Sequence, residues 1–117
     1  MSVNPLVLLA VLVAAFIVFS RLRGGGKVSS SVILEKIEAG AVIVDVRTPE
    51  EFRGGAYPGA RNIPVQELAT RMAEIPKDKP VVLYCASGGR SGLAAAMLKR
   101  AGFADVSNAG GLGDMPR

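Results

Sequence analysis

The chain contains one cysteine, Cys85, and no histidine. Cys85 lies in "VVLYCASGGRSGLAAAMLKRAG", residues 81–102, between a β-branched run and a run of helical character. The next four residues, Ala86, Ser87, Gly88 and Gly89, have little or no side chain, and Arg90 and Ser91 follow. A loop of this kind can curl so that its backbone N–H groups point inward as a nest for an anion. If Arg90 begins a helix, the first N–H groups of that helix lack intrahelical partners and carry the positive end of its dipole. Amides, dipole and guanidinium converging on one sulfur would lower the pKa of the thiol and keep a nucleophilic thiolate. Displacement at sulfur needs nothing more, because an already ionised thiol attacks without a histidine base. The plainer reading is a buried structural cysteine beside a glycine turn, but two glycines and an arginine at a helix start do not resemble core filling. The sequence holds no G-x-x-x-x-G-K-[ST] pattern, so phosphate binding of the nucleotide-hydrolase kind is unsupported. A single cysteine cannot form an internal disulfide, and the absence of histidine removes the commonest metal ligand. Neither a metal nor an organic cofactor is expected.

The elements that would position this loop can be read on both sides of it. "AVIVDV" (41–46) and "VVLY" (81–84) are β-branched apolar runs of strand length, and "FADVSNAGG" contains one more short strand. Helices are expected between them. One begins at Ser30 or Ser31 and stops at Gly40, with Ile33, Leu34 and Ile37 on one side. A short one starts at Thr48, with Pro49 in the first helical position and Glu51 completing a capping box. The spacing of Val65, Leu68, Met72 and Ile75 predicts a helix over 64–75, and Leu93, Met97, Leu98 and Ala101 mark the buried side of one over 90–102. Arg61 to Ile63 reads as a brief extended piece, and the final "LGDMPR" as a turn. Strands alternating with helices predict an α/β domain, a mostly parallel central sheet flanked by helices on both faces. Ligands of such sheets gather beyond the carboxyl ends of the strands, which is where Cys85 falls.

These motifs resemble a single rhodanese (sulfurtransferase) domain: "DVRTPEEF", "GARNIP", "YCASGGRSGLAAAMLKRAG" and "NAGG" occur in that family's order and spacing, over roughly 29–111. The resemblance implies that Cys85 carries sulfur as a persulfide, taken from a small sulfane-sulfur donor and passed to a thiol or cyanide-like acceptor, or to an acceptor protein. It implies that Ala86, Ser87, Gly88, Gly89 and Arg90 form the substrate cradle, and that Ser91 caps or braces the loop. Asp45 and Arg47 would lie near this pocket, with Asp45 positioning the scaffold rather than transferring a proton. Two departures stand out. Family members that handle thiosulfate well often have a basic residue inside the loop, where this chain has Ala86 and Gly89. The family also usually continues past the glycine pair into a tryptophan-containing helix, whereas this chain has "LGDMPR" and no tryptophan, so that side of the sheet is thinly covered or is covered by another chain. The rival readings are a cysteine-dependent phosphatase or arsenate reductase and a delivery or regulatory module with little turnover. The phosphatase pattern places five residues between cysteine and arginine; here there are four, a smaller ring that suits one extra sulfur atom better than a tetrahedral phosphate.

Outside the domain, "LVLLAVLVAAFIVF" (6–19) is continuously apolar, and Val3 to Leu22 would make roughly 30 Å of helix. Residues 1–22 are therefore expected to be a transmembrane anchor or a signal-like helix, 23–28 a glycine-rich linker, and 29–117 the domain. Arg21, Arg23 and Lys27 flank the run on one side only, which places the N-terminus outside and the domain in the cytoplasm; the alternative is export to the periplasm after signal cleavage. Those three cations carry most of the net +4, leaving eleven basic against ten acidic residues. They are suited to a membrane surface, and no basic stripe with interleaved aromatics points to nucleic acid.

Overall fold

The structure is a computed structural model that describes residues 4–22 and 26–117, without the side chains of 17–22. Its elements in chain order are α1 (Pro5–Leu22), α2 (Ser30–Glu38), β1 (Val42–Asp45), α3 (Pro49–Arg53), β2 (Arg61–Asn62), α4 (Leu68–Arg71), β3 (Val81–Cys85), α5 (Gly89–Arg100) and β4 (Val106–Gly111). The four strands form one parallel sheet in the order β2-β1-β3-β4. Parallel strands must be covered on both faces, and β1 and β3 are buried at every position. Their β-branched, nearly uncharged sequences are what such a position requires.

Strand parity divides the core in two, because successive side chains point to opposite faces. Val42, Val44, Val81, Leu83 and Cys85 pack with Leu68, Ala94, Ala95 and Leu98 under α4 and α5. Ile43, Val82 and Tyr84 pack with Ile33 of α2 and with Ala109 and Met115. Helices thus cover both faces, as the sequence predicts.

Several local expectations are met. Thr48 caps α3, accepting from the Glu51 N–H while the Glu51 carboxylate accepts from the Thr48 N–H, with Pro49 at the first position. Others change. The cap residue of α2 is Ser29, one position before the expected serines, and its side chain makes no capping bond. Leu34 is exposed, leaving Ile33 as the buried residue of α2. The helix expected over 64–75 is split into a 3₁₀ turn at Val65–Glu67, α4, and a second 3₁₀ turn at Met72–Glu74. So short a segment has little helical stability of its own, and the burial of Leu68 and Ile75 dictates its path. Leu93 is not on the buried side of α5: it is 58 % exposed, and Ala94, Ala95 and Leu98 make the contact with the sheet.

The N-terminal segment differs most. Helix α1 exposes its apolar side chains, Leu6 and Phe16 among them, but among the described residues no helix is long and apolar enough to cross a membrane. The Arg21 side chain and Arg23, read as membrane-flanking, lie outside the described residues, as do the first two glycines of the hinge. Lys27 is no free linker cation. It bridges to Asn108 in parallel fashion, the Val28 N–H donates to the Asn108 carbonyl, and the Lys27 ammonium pairs with Asp114 at 2.9 Å.

The carboxyl end of β4 also touches the cysteine loop directly. A Cβ placed on Gly111 would lie 2.2 Å from the Ala86 carbonyl oxygen. Gly111→Ala therefore forces the two segments apart. It is expected to cost about 1–3 kcal/mol in urea unfolding, together with a loss of thiol reactivity at Cys85.

Candidate active site

Cys85 is the last residue of β3, one position further into the strand than the apolar run suggests. It is 1 % exposed, but the loop after it is open: Ala86, Ser87 and Gly89 are exposed and Gly88 is half-buried. Gly88 is the cap residue of α5 and adopts φ +107°, a backbone conformation that favours glycine. That conformation aims the Gly88 N–H at the sulfur, N to Sγ 2.9 Å. The Ser91 hydroxyl approaches from the first turn of α5, Oγ to Sγ 3.3 Å. Burial by itself pushes the Cys85 thiol up. Hydrogen bonds from the Ser91 hydroxyl and from the backbone of Ser91, Ser87 and Gly88 outweigh it and bring the thiol down to about 7. A substantial thiolate fraction at neutral pH follows, formed mainly by amides and one hydroxyl.

Ser91 is shared. Its Oγ also lies 2.7 Å from Asn108 Oδ1, 3.2 Å from the Gly88 carbonyl and 3.4 Å from the Gly110 carbonyl. A hydroxyl has one proton, so these acceptors compete with the sulfur for it. The Asn108 amide is fixed from both ends: Oδ1 accepts from the Gly110 N–H and Nδ2 donates to the Gly88 carbonyl. Asn108 thus ties the loop to β4. The motif "NAGG" carries no local sign of this task, because Ser91 and Gly88 lie 17 and 20 positions away.

Arg90 is the second residue of α5, which starts at Gly89, one position before the expected start, and its guanidinium is already engaged. It makes a two-point ion pair with Glu51 of α3, Nη1 to Oε1 2.7 Å and Nη2 to Oε2 3.1 Å. The Arg90 guanidinium, helped by the Thr48 cap, holds the Glu51 carboxyl down at about 2. Glu51 raises the Arg90 pKa, and the Cys85 thiolate adds a smaller attraction. Glu51 is the partner of the loop arginine. The capping box signals only its backbone task.

Asp45 and Arg47 do not join the cysteine. Asp45 has the parity of Ile43 and pairs in register with Tyr84, so it faces away from Cys85. It is fully buried and accepts from Arg47 Nε and Nη2 at 2.7–3.0 Å and from the Arg47 N–H. Arg47 also donates to the Gly55 carbonyl and lies over the Tyr84 ring at 5.6 Å. The pair ties the loop after β1 to Gly55. Tyr84 is packed in the strand, and its hydroxyl accepts from the Tyr57 N–H. Tyr57 in turn donates to the Pro116 carbonyl, which makes it a loop anchor. Arg53 and Arg61 are exposed, and Arg71 pairs with Glu67 and Glu74.

Reaction of Cys85 with iodoacetamide should follow ionisation of the thiol, rising with pH through a midpoint near 7. Below that pH the sulfur is protonated and slow; above it the rate levels off. Ser91→Ala removes a donor to the thiolate, so the midpoint moves upward and the rate at pH 7 falls by roughly threefold or more.

Comparison with known proteins agrees with this geometry. The family model described as "Rhodanese-like domain" matches residues 29–112. A "Sulfurtransferase" of Allochromatium vinosum is 46 % identical over 67 residues, 57 % of this chain and 63 % of its own. The "Thiosulfate sulfurtransferase PspE" of Escherichia coli K12 is 42 % identical over 74 residues, 62 % of this chain and 71 % of its own. A solved structure, "rhodanese with anions from E. coli", superposes with a TM-score of 0.62 at 40 % identity, over 66 % of this chain and 95 % of that one. The chain spans less than two thirds of the length of several curated relatives that it matches. With 84 of its residues matched and the parallel sheet, cysteine loop and helix in place, this chain belongs to the rhodanese-like domain family.

Proposed function

We propose that this protein is a sulfurtransferase that carries a sulfane sulfur on Cys85 and passes it to a nucleophilic acceptor. The observation that supports this most directly is the sulfur itself: buried, yet hydrogen-bonded by the Gly88 amide and the Ser91 hydroxyl and held at about pKa 7. A thiolate attacks the outer sulfur of the donor, the donor's bond to that sulfur breaks, and the sulfur remains on Cys85 as a persulfide. An acceptor thiolate or cyanide then attacks the outer sulfur and Cys85 leaves as thiolate. The inward amides of residues 87, 88 and 91 neutralise the charge through both steps. The four-residue spacing between Cys85 and Arg90 leaves a small ring, which favours a single additional atom over a phosphoryl group. A persulfide-delivery module with little turnover would use the same cysteine and differ in rate.

Incubation of the full chain with a sulfane-sulfur donor should add the mass of one sulfur atom, removable by cyanide and absent in Cys85→Ser. Failure of every donor to add sulfur to the folded wild-type protein would reject the reading.

We further propose that α1 holds the protein at a membrane, with the N-terminus outside and the domain on the cytoplasmic side. The support is the exposed apolar surface of α1 and the basic residues that follow it in sequence. The exported alternative places the domain in the periplasm. On cell fractionation the full chain should pellet with membranes and be released by detergent but not by high salt. A C-terminal tag should resist protease in intact cells and in spheroplasts, and be cut once the cells are lysed.

A further inference from the structure

We infer that Glu51 is a specificity-determining residue of the cradle: by pairing with Arg90 it makes the site electrically neutral and selects an organic persulfide, R–S–SH, over a small inorganic dianion such as thiosulfate. The inference rests on the sulfurtransferase reading and names the donor class of that same site.

Arg90, Arg47 and Lys27 lie at the carboxyl end of the sheet and Arg53 on α3 beside Glu51, and each has a carboxylate partner: Glu51, Asp45, Asp114 and Glu50. The loop adds no cation of its own, since the residues between Cys85 and Arg90 are Ala, Ser, Gly and Gly. What faces the sulfur is a set of amide dipoles and a hydroxyl. Such donors satisfy one localised negative charge at short range and give little attraction to a second or third. Residues 86–89 also bring no charged side chain to the approach. Ala86 and Gly89 are exposed, and Leu93, one helical turn beyond Gly89 on the same face of α5, is 58 % exposed. An apolar side chain at that place suits the carbon frame of an organic donor.

Charge balance separates the two donors. With thiosulfate, the Cys85 thiolate and the donor bring three negative charges into one small volume. The S–S bond breaks, sulfite leaves with two charges, and Cys85–S–S⁻ keeps one. With R–S–SH, the thiolate attacks the outer sulfur, the R–S bond to that sulfur breaks, R–S⁻ leaves with the electron pair, and the proton stays on the new outer sulfur. The total charge is one throughout. A free guanidinium would offset much of the difference, and one tied at two points to Glu51 does not.

The full chain in detergent is assayed with thiosulfate, with glutathione persulfide and with persulfidated serum albumin, the last two separating a small-thiol source from a protein source of the same chemistry. Wild type should take sulfur more efficiently from one or both persulfides. Glu51→Gln, which can still accept the Thr48 cap bond, should raise the ratio of thiosulfate to persulfide kcat/KM by about tenfold or more. Glu51→Asp keeps the charge and should leave that ratio within about threefold of wild type. An unmoved ratio in Glu51→Gln, or the same rise in Glu51→Asp, would overturn the assignment, since loosening of α3 alone affects both variants. Should Glu51→Gln not fold, wild type still decides. With Arg90 neutralised, its thiosulfate kcat/KM should change by less than about twofold as ionic strength rises tenfold, and a steep fall contradicts the inference. Transfer from none of the donors rejects the sulfurtransferase reading itself, whereas transfer with an unmoved ratio rejects only the role of Glu51.

Discussion

One hydrogen bond organises this end of the molecule: the Gly88 amide on the Cys85 sulfur. A sulfur 1 % exposed would ordinarily stay protonated, because burial penalises the anion. The Ser91 hydroxyl and the amides of Ser91, Ser87 and Gly88 together reverse that, and the Gly88 amide reaches its place through a left-handed backbone that residues with a Cβ rarely adopt. The turned loop must then fit against β4, where only the absence of a side chain at Gly111 allows the Ala86 carbonyl to pass. Thiol chemistry here depends on atoms that are missing as much as on those present.

Strand parity explains why two such different residues as Tyr84 and Cys85 can be neighbours. Tyr84 turns to the α2 face, where its hydroxyl receives the Tyr57 amide and Arg47 lies over its ring. Cys85 turns to the α5 face and meets the helix that stabilises its charge. The buried Asp45–Arg47 pair supports the first of these faces, where it fixes the loop that leads into α3. Breaking a buried pair strands an unpaired charge, so this network resists movement of β1 and of the α3 start. Because Glu51 belongs to α3, the rigidity on the Tyr84 face determines where the Arg90 guanidinium is held on the other.

The exposed ion pair of Glu51 and Arg90 should be valued for geometry rather than stability, since pairs open to solvent contribute little to folding. Two-point contact fixes the plane of the guanidinium. It also fixes what Arg90 cannot do, which is to meet a second anion with its full charge. In a site without histidine, the Ser91 hydroxyl and amides aimed at one atom are what favour the thiolate.

These relations mark the boundary of what the sequence can reveal. The local signals are faithful: the β-branched runs become β1 and β3, Thr48 and Glu51 form their capping box, and the small-residue loop becomes a turn at a strand end. The failures share a cause. Leu93 has helical spacing with Leu98's neighbours, yet small Ala94 and Ala95 are what allow α5 to lie close to the sheet, and the larger residue is turned outward. Arg90 and Glu51 are 39 positions apart, and Asn108 reaches Gly88 across 20. Such contacts exist only once β1, β3 and β4 align in register, so no local pattern records them. The cradle's presence is therefore a property of a short segment, whereas its charge is a property of the whole fold, set by pairs that form only when the strands align.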